Sequence, residues 1–116
     1  LGATFKGNVK DLRNSSVFKI VEELEKLNCR VSVFDPLVKK DILNESGLPG
    51  INDPFLDDKK YNAVIIAVSH DFFKNIPLES YVQLLDAKIG TSVIADVKRI
   101  LNWKKEGFPD VTYWTL

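Results

Sequence analysis

The residues with chemistry to offer cluster early in the chain. Residues 1–13, LGATFKGNVKDLR, place an aromatic and a cation side by side at Phe5 and Lys6 and follow them with Lys10, Asp11 and Arg13. Asn14, Ser15 and Ser16 then supply helix N-cap side chains ahead of an amphipathic run. A glycine-bearing loop that leaves a strand, carries cations and enters a helix is a place for an anion, because backbone N–H groups and the helix dipole both favour negative charge there. Further along, His70 follows one apolar run and Lys98 another. Two lysines, a histidine and a nearby arginine suit a diphosphate better than a lone carboxylate.

No catalytic group and no metal ligand is assigned. Cys29, the single cysteine, has no glycine-rich turn or basic partner to activate it and reads as a small buried hydrophobe between a helix and a strand. Asp35, before Pro36, reads as a turn residue that stops a strand. His70 reads as a structural residue beside the cleft, with Asp71 as a helix cap, and Trp103 and Trp114 read as packing residues.

The elements that must position these groups alternate. Apolar residues at Val17, Phe18, Ile20, Val21, Leu24 and Leu27 predict a helix over residues 17–27, with Glu22 and Lys26 as a favourable pair on its outer side. Residues 30–35 (RVSVFD) predict a strand, residues 38–43 a short helix, and residues 48–51 a short edge strand. The run NAVIIAV at 62–68 predicts a strand buried on both faces. Pro77 fits a first helical position, residues 92–95 (SVIA) another buried strand, residues 100–103 a helical turn, and residues 111–116 a last strand. The expected fold class is therefore α/β, a Rossmann-like three-layer sandwich with a mostly parallel sheet. In such a sheet, ligands bind beyond the carboxyl ends of the strands where strand order reverses. The usual order sets the first strand beside residues 62–68, Lys6 near His70, and Lys98 one strand further on.

At 116 residues the chain makes one domain, and its formal net charge of zero gives no electrostatic support to nucleic-acid or membrane-surface binding. The longest apolar run is too short to span a bilayer, and the lone cysteine forms no internal disulfide, so a cytoplasmic setting is expected. A first strand needs more than Leu1 and Gly2 to pair, which points to a piece of a longer polypeptide. A dinucleotide-binding turn should read G-x-G-x-x-G, whereas residues 2–7 read GATFKG, with Phe5 and Lys6 where backbone should approach a pyrophosphate.

These same residues carry a family resemblance. LGATFKGNVKDLRNSS before a helix, then VSVFDP, NAVIIAVSHDFF and VIADVKRIL, resemble the C-terminal UDP-binding domain of nucleotide-sugar 6-dehydrogenases, the UDP-glucose/GDP-mannose dehydrogenase family, over nearly the whole chain. The most specific part is the F-K-x-x-x-x-D-x-R spacing of Phe5, Lys6, Asp11 and Arg13, and the A-V-x-H at residues 67–70 looks more like the N-acetylhexosamine branch than the glucose branch. The resemblance implies an NAD-dependent UDP-sugar 6-dehydrogenase that oxidises the sugar C6 hydroxyl to a carboxylate, through a covalent cysteine intermediate, for polysaccharide biosynthesis. It implies that NAD is bound mainly by a separate N-terminal domain, that the full-length protein is a homodimer, and that this domain alone, without the family's glycine-flanked cysteine, is inactive. By match of motif, Phe5, Lys6 and Lys98 contact the UDP-sugar, Arg13 reaches the NAD side, and Asp11 orients the loop or pairs with Arg13. The competing expectation is a non-catalytic Rossmann-like nucleotide-sensing or dimerisation module.

Overall fold

Residues 1–3 are the seam of the sheet. In the computed structural model, which describes residues 1–87, 92–104 and 107–116, Leu1 N donates to Ile65 O at 2.7 Å and Leu1 O accepts from Ala67 N at 2.9 Å. That pattern makes the opening residues a parallel neighbour of β1 (Ala63–Ile66). On their other side Gly2 N donates to Phe34 O at 2.8 Å. Beyond that, Val33 N donates to Pro49 O and Val33 O accepts from Ile51 N, both at 2.8 Å, in a parallel bridge with Gly50. In the opposite direction β1 pairs parallel with β2 (Ser92–Asp96), and β2 with β3 (Val111–Thr115), Ala63 facing Val93 and Ser92 facing Val111. The order across the sheet is thus residues 49–51, 33–35, 1–3, β1, β2, β3. It grows both ways from the seam, and the reversal falls between residues 1–3 and β1, as a Rossmann-like fold requires. Gly2 has φ +90°, and a Cβ there would stand 2.6 Å from Val68 Cβ, so only glycine lets the seam close.

The helices follow the apolar spacing. α1 (Val17–Lys26) buries Val17 and Val21 and holds Glu22–Lys26 at 3.1 Å on its outer side; Asn28, at φ 63°, ends it in a left-handed conformation. α2 (Lys40–Glu45) starts two residues later than the pattern predicts, because Val38 is tied back to Asp35 in a short antiparallel bridge and buried. α3 (Asp71–Lys74) has His70, not Asp71, at its N-cap, since the His70 backbone is extended and its carbonyl accepts from Phe73 N. α4 (Leu78–Gln83) has Pro77 as its N-cap rather than its first residue and buries Tyr81, whose hydroxyl donates to Phe73 O at 2.5 Å.

Two cores result. One joins Ala3, Val17, Val21, Val33 and Leu43; the other joins Phe34, Ile66, Phe73, Tyr81 and Ile94. Val33 and Phe34 are consecutive residues of one extended segment and enter different cores, so the cores lie on opposite faces of the sheet. That is the three-layer arrangement. No helix among the described residues is long and apolar enough to cross a membrane.

Three expectations are corrected here. Cys29 is exposed: the left-handed Asn28 closes the helix end, with Cys29 N on Leu24 O at 3.1 Å, and the side chain is left outside. Trp114 is 47% exposed on β3, where alternate residues face solvent; Trp103 does pack, stacked on Tyr113 with ring centroids 4.9 Å apart. Residues 100–103 form no helical turn, because the Asp96 carboxylate takes the Ile100 and Leu101 N–H groups at 3.0 and 2.8 Å.

Candidate functional site

At the seam, the loop leaving residues 1–3 folds back on itself: Phe5 N donates to Asp11 O at 2.7 Å. Phe5 is 56% exposed, an unusual place for so large an apolar ring, and Lys6 beside it is exposed. Gly7 is pressed against the next strand end, since a Cβ there would lie 2.6 Å from Ser69 O. Asn8, at φ 62°, turns the chain, and its Oδ1 accepts from Asp71 N at 2.9 Å. The loop is therefore fastened to the segment that follows β1, and the topology brings the loop of Lys6 to His70 as expected.

Beneath the loop lies a buried polar cluster that the sequence reading did not identify. Asp35, 2% exposed, accepts on Oδ2 from Ala3 N at 2.7 Å, Thr4 N at 3.3 Å and His70 Nε2 at 2.8 Å, and on Oδ1 from Leu37 N at 2.8 Å. The last of these is the turn expected of an Asp before Pro; the other three tie together three neighbouring segments of the sheet. His70 is 1% exposed, and its Nδ1 accepts from Asn8 N at 2.9 Å, so Nδ1 carries no proton and Nε2–H is the donor to Asp35. The imidazole is neutral and enclosed. It is not one of the cations converging on an anion. What could have exposed it is the combination of an Asp at one strand end with a His at the end of a strand two places along the sheet.

Arg13 is also engaged. Its Nε and Nη2 each meet an Asp11 carboxylate oxygen at 3.0 Å, in a two-point pair that is exposed to solvent. The Arg13 side-chain hydrogen bond holds the Asp11 carboxyl below the usual carboxylate range, and the same bond raises the Arg13 guanidinium. Pairing with Asp11 and facing a cofactor across a cleft are compatible, because the guanidinium side chain is 86% exposed.

Lys98 sits in the turn after β2. That turn is built on Asp96, fully buried, whose carboxylate accepts from Ile100 N, Leu101 N and, at 2.8 Å, the Tyr113 hydroxyl. Its carbonyl accepts from Thr115 Oγ1 at 2.7 Å and from Arg99 N at 3.2 Å. Arg99, at φ 52°, turns its guanidinium to Leu116 O, and Lys98 beside it is exposed. Among the described residues no ion pair or hydrogen bond engages the ammonium of Lys6 or Lys98.

Burial first, and then the Asp96 carboxylate, push the Tyr113 hydroxyl up from 10.0 to about 12. A group whose folded pKa is raised contributes stability that is complete below its unfolded pKa and is lost as pH climbs through the folded one. Alkaline loss of stability should therefore begin near pH 10 and continue toward pH 12. Tyr81, raised by burial, adds to it. Urea unfolding of Tyr113→Phe across that range should show a shallower loss than the wild type, together with a cost of about 1 kcal/mol at neutral pH for the missing hydrogen bond.

A cleft of about 650 Å³ lies beside the seam, beyond residues 33–35 and 49–51, lined by Lys10, Phe34, Asp35, Val38, Lys40 and Asp53 among others. It does not include Phe5, Lys6 or Lys98. Phe5, Lys6 and Lys98 are all exposed to solvent.

The chain matches the model of the UDP-glucose/GDP-mannose dehydrogenase family, UDP binding domain, over residues 1–103. It is 39% identical over 106 residues to UDP-N-acetyl-D-glucosamine 6-dehydrogenase of Pseudomonas aeruginosa, covering 90% of this chain and 24% of that protein. It is 33% identical over 110 residues to UDP-N-acetyl-D-mannosamine dehydrogenase of Methanococcus vannielii, covering 92% of this chain and 24% of that protein. The native structure of the UDP-N-acetyl-mannosamine dehydrogenase of Staphylococcus aureus superposes with a TM-score of 0.71 at 30% identity, over 99% of this chain and 24% of that one. The chain thus spans about a quarter of the length of these relatives. It belongs to the UDP-glucose/GDP-mannose dehydrogenase family and corresponds to that family's UDP binding domain.

Proposed function

We propose that this domain binds the UDP part of a UDP-sugar along the edge formed by Phe5, Lys6 and Lys98, as one wall of the active-site cleft of a UDP-sugar 6-dehydrogenase. The observation that carries the reading is a pair of lysines, Lys6 and Lys98, whose ammonium groups meet no partner among the described residues, at the strand ends of a fold whose family binds UDP. Ammonium groups with no protein partner can give both of their charges to a diphosphate, and the exposed Phe5 ring offers an apolar surface to the sugar or base. The relatives' names favour a UDP-N-acetylhexosamine.

The chemistry itself belongs elsewhere in such an enzyme. Residues 2–7 place Phe5 and Lys6 where a dinucleotide pyrophosphate would need bare backbone, so the first turn of this domain does not fit NAD. We assign NAD mainly to an N-terminal domain, with Arg13 meeting it from this side, and no catalytic group to the present residues. The domain by itself is then inactive, and the working form is a cytoplasmic homodimer.

Substitution of the lysines tests the reading. Lys6→Ala and Lys98→Ala should each weaken UDP about tenfold, the scale of a single charge-assisted hydrogen bond, by calorimetric titration. Both side chains are exposed, so unfolding midpoints should stay unchanged. Unchanged affinity in both variants would sink the assignment.

A further inference from the structure

His70 does something more specific than fill a core. Its ring stands between the two ends of the loop that carries Phe5, Lys6 and Gly7. On one side Nδ1 accepts from Asn8 N at 2.9 Å, immediately after the loop. On the other, Nε2–H points at Asp35 Oδ2 at 2.8 Å and at Thr4 Oγ1 at 3.2 Å, immediately before it. Thr4 Oγ1 spends its own proton on Lys6 O at 3.0 Å, so it meets the imidazole with a lone pair. One buried ring therefore fixes where the loop departs and where it returns.

Resting on the UDP reading above, we propose that His70 is a positioning residue for UDP-sugar binding: its unprotonated Nδ1 latches Asn8 and so holds Phe5 and Lys6 at the ligand edge. The two nitrogens divide the work. Nε2–H satisfies the buried Asp35 carboxylate and supports the fold. Among the described residues Nδ1 meets only Asn8 N of the loop, so its loss should leave the sheet intact. Asn8 completes the latch, since its left-handed backbone and its side-chain contact to Asp71 N hold the return point against the same segment as His70.

The nitrogens can be separated by substitution, because an asparagine reaches about as far as Nδ1 and a glutamine about as far as Nε2. His70→Asn keeps an acceptor for Asn8 and gives up the donor to Asp35. His70→Gln keeps that donor and gives up the acceptor. In the polypeptide that carries this domain, His70→Gln should weaken UDP about tenfold while unfolding near the wild-type urea midpoint. His70→Asn should bind UDP within about threefold of wild type although its midpoint falls. A merely structural histidine gives the reverse ranking: affinity would track stability, with His70→Asn the weaker binder, and that result overturns the proposal. Equal UDP affinity for His70→Gln and wild type overturns it too, while leaving the UDP reading in place. Failure of the wild type to bind UDP removes the reading and the proposal together. The ¹⁵N spectrum of the wild-type imidazole is a check that needs no variant. Nδ1 should resonate as an unprotonated ring nitrogen, and a protonated Nδ1 overturns the latch.

Discussion

Asp35→Ala should cost about 3–5 kcal/mol of folding stability, the scale for breaking a buried, fully hydrogen-bonded charged group. The reason is the number and origin of its partners. The carboxylate accepts from Ala3 N and Thr4 N on the seam, from Leu37 N in the turn after residues 33–35, and from His70 Nε2 after β1. Alanine leaves these buried N–H groups without acceptors, and each unsatisfied group carries a penalty of about 1–3 kcal/mol, summed less than additively. The loss is concentrated where strand order reverses, so UDP affinity should fall with stability. The urea midpoint should drop while the denaturant slope holds, because the fold lost is the same one. A change below about 1 kcal/mol would mean that the cluster is not the junction described.

Asp96→Ala is expected to be the second most damaging change, at about 2–4 kcal/mol, because three donors lose a fully buried acceptor. Two of them, Ile100 N and Leu101 N, shape the chain that follows Lys98; the third is the Tyr113 hydroxyl of the neighbouring strand. Asp96→Asn is the informative partner, since it keeps one acceptor oxygen and removes the charge. It should retain about half of the lost stability and bring the Tyr113 ionisation down from about 12, because burial is the larger cause of that shift and the carboxylate the next. Ultraviolet titration of tyrosinate reads the ionisation directly. If Tyr113 still titrated as in the wild type, the carboxylate would not be a cause of its shift.

Local pattern carried much of this structure. The apolar spacing from Val17 onward fixes α1, and the run at 62–68 marks β1, although burial there alternates, with Val64 and Ile66 buried, Ile65 half-buried and Ala63 exposed, so the strand is not enclosed on both faces. The strand-end rule then placed the loop of Lys6 beside His70 without any contact being visible in the sequence. What stayed hidden depends on long-range partners. Asp35 in front of Pro36 has a sufficient local explanation as a turn residue, and its bonds to Ala3, Thr4 and His70 span more than thirty positions. The turn after Asp96 looks helical in composition and is shaped instead by a side-chain carboxylate that competes for the backbone N–H groups. Cys29 reads as apolar by type, yet its place is decided by the helix ending one residue before it in a left-handed asparagine. Phe5 is the converse: a phenylalanine reads as a core residue by type, and the loop that leaves residues 1–3 holds it 56% exposed.

The central claim is that UDP lies against the seam edge. Titrating UDP into the ¹⁵N-labelled protein and following backbone amides tests it most directly. The account predicts saturable shifts at residues 4–8 and 97–99, with the opposite end of the sheet, around Asn62 and Val111, unmoved. Shifts confined to the neighbouring cleft of Lys39, Lys40 and Asp53, or none at saturating UDP, would contradict it.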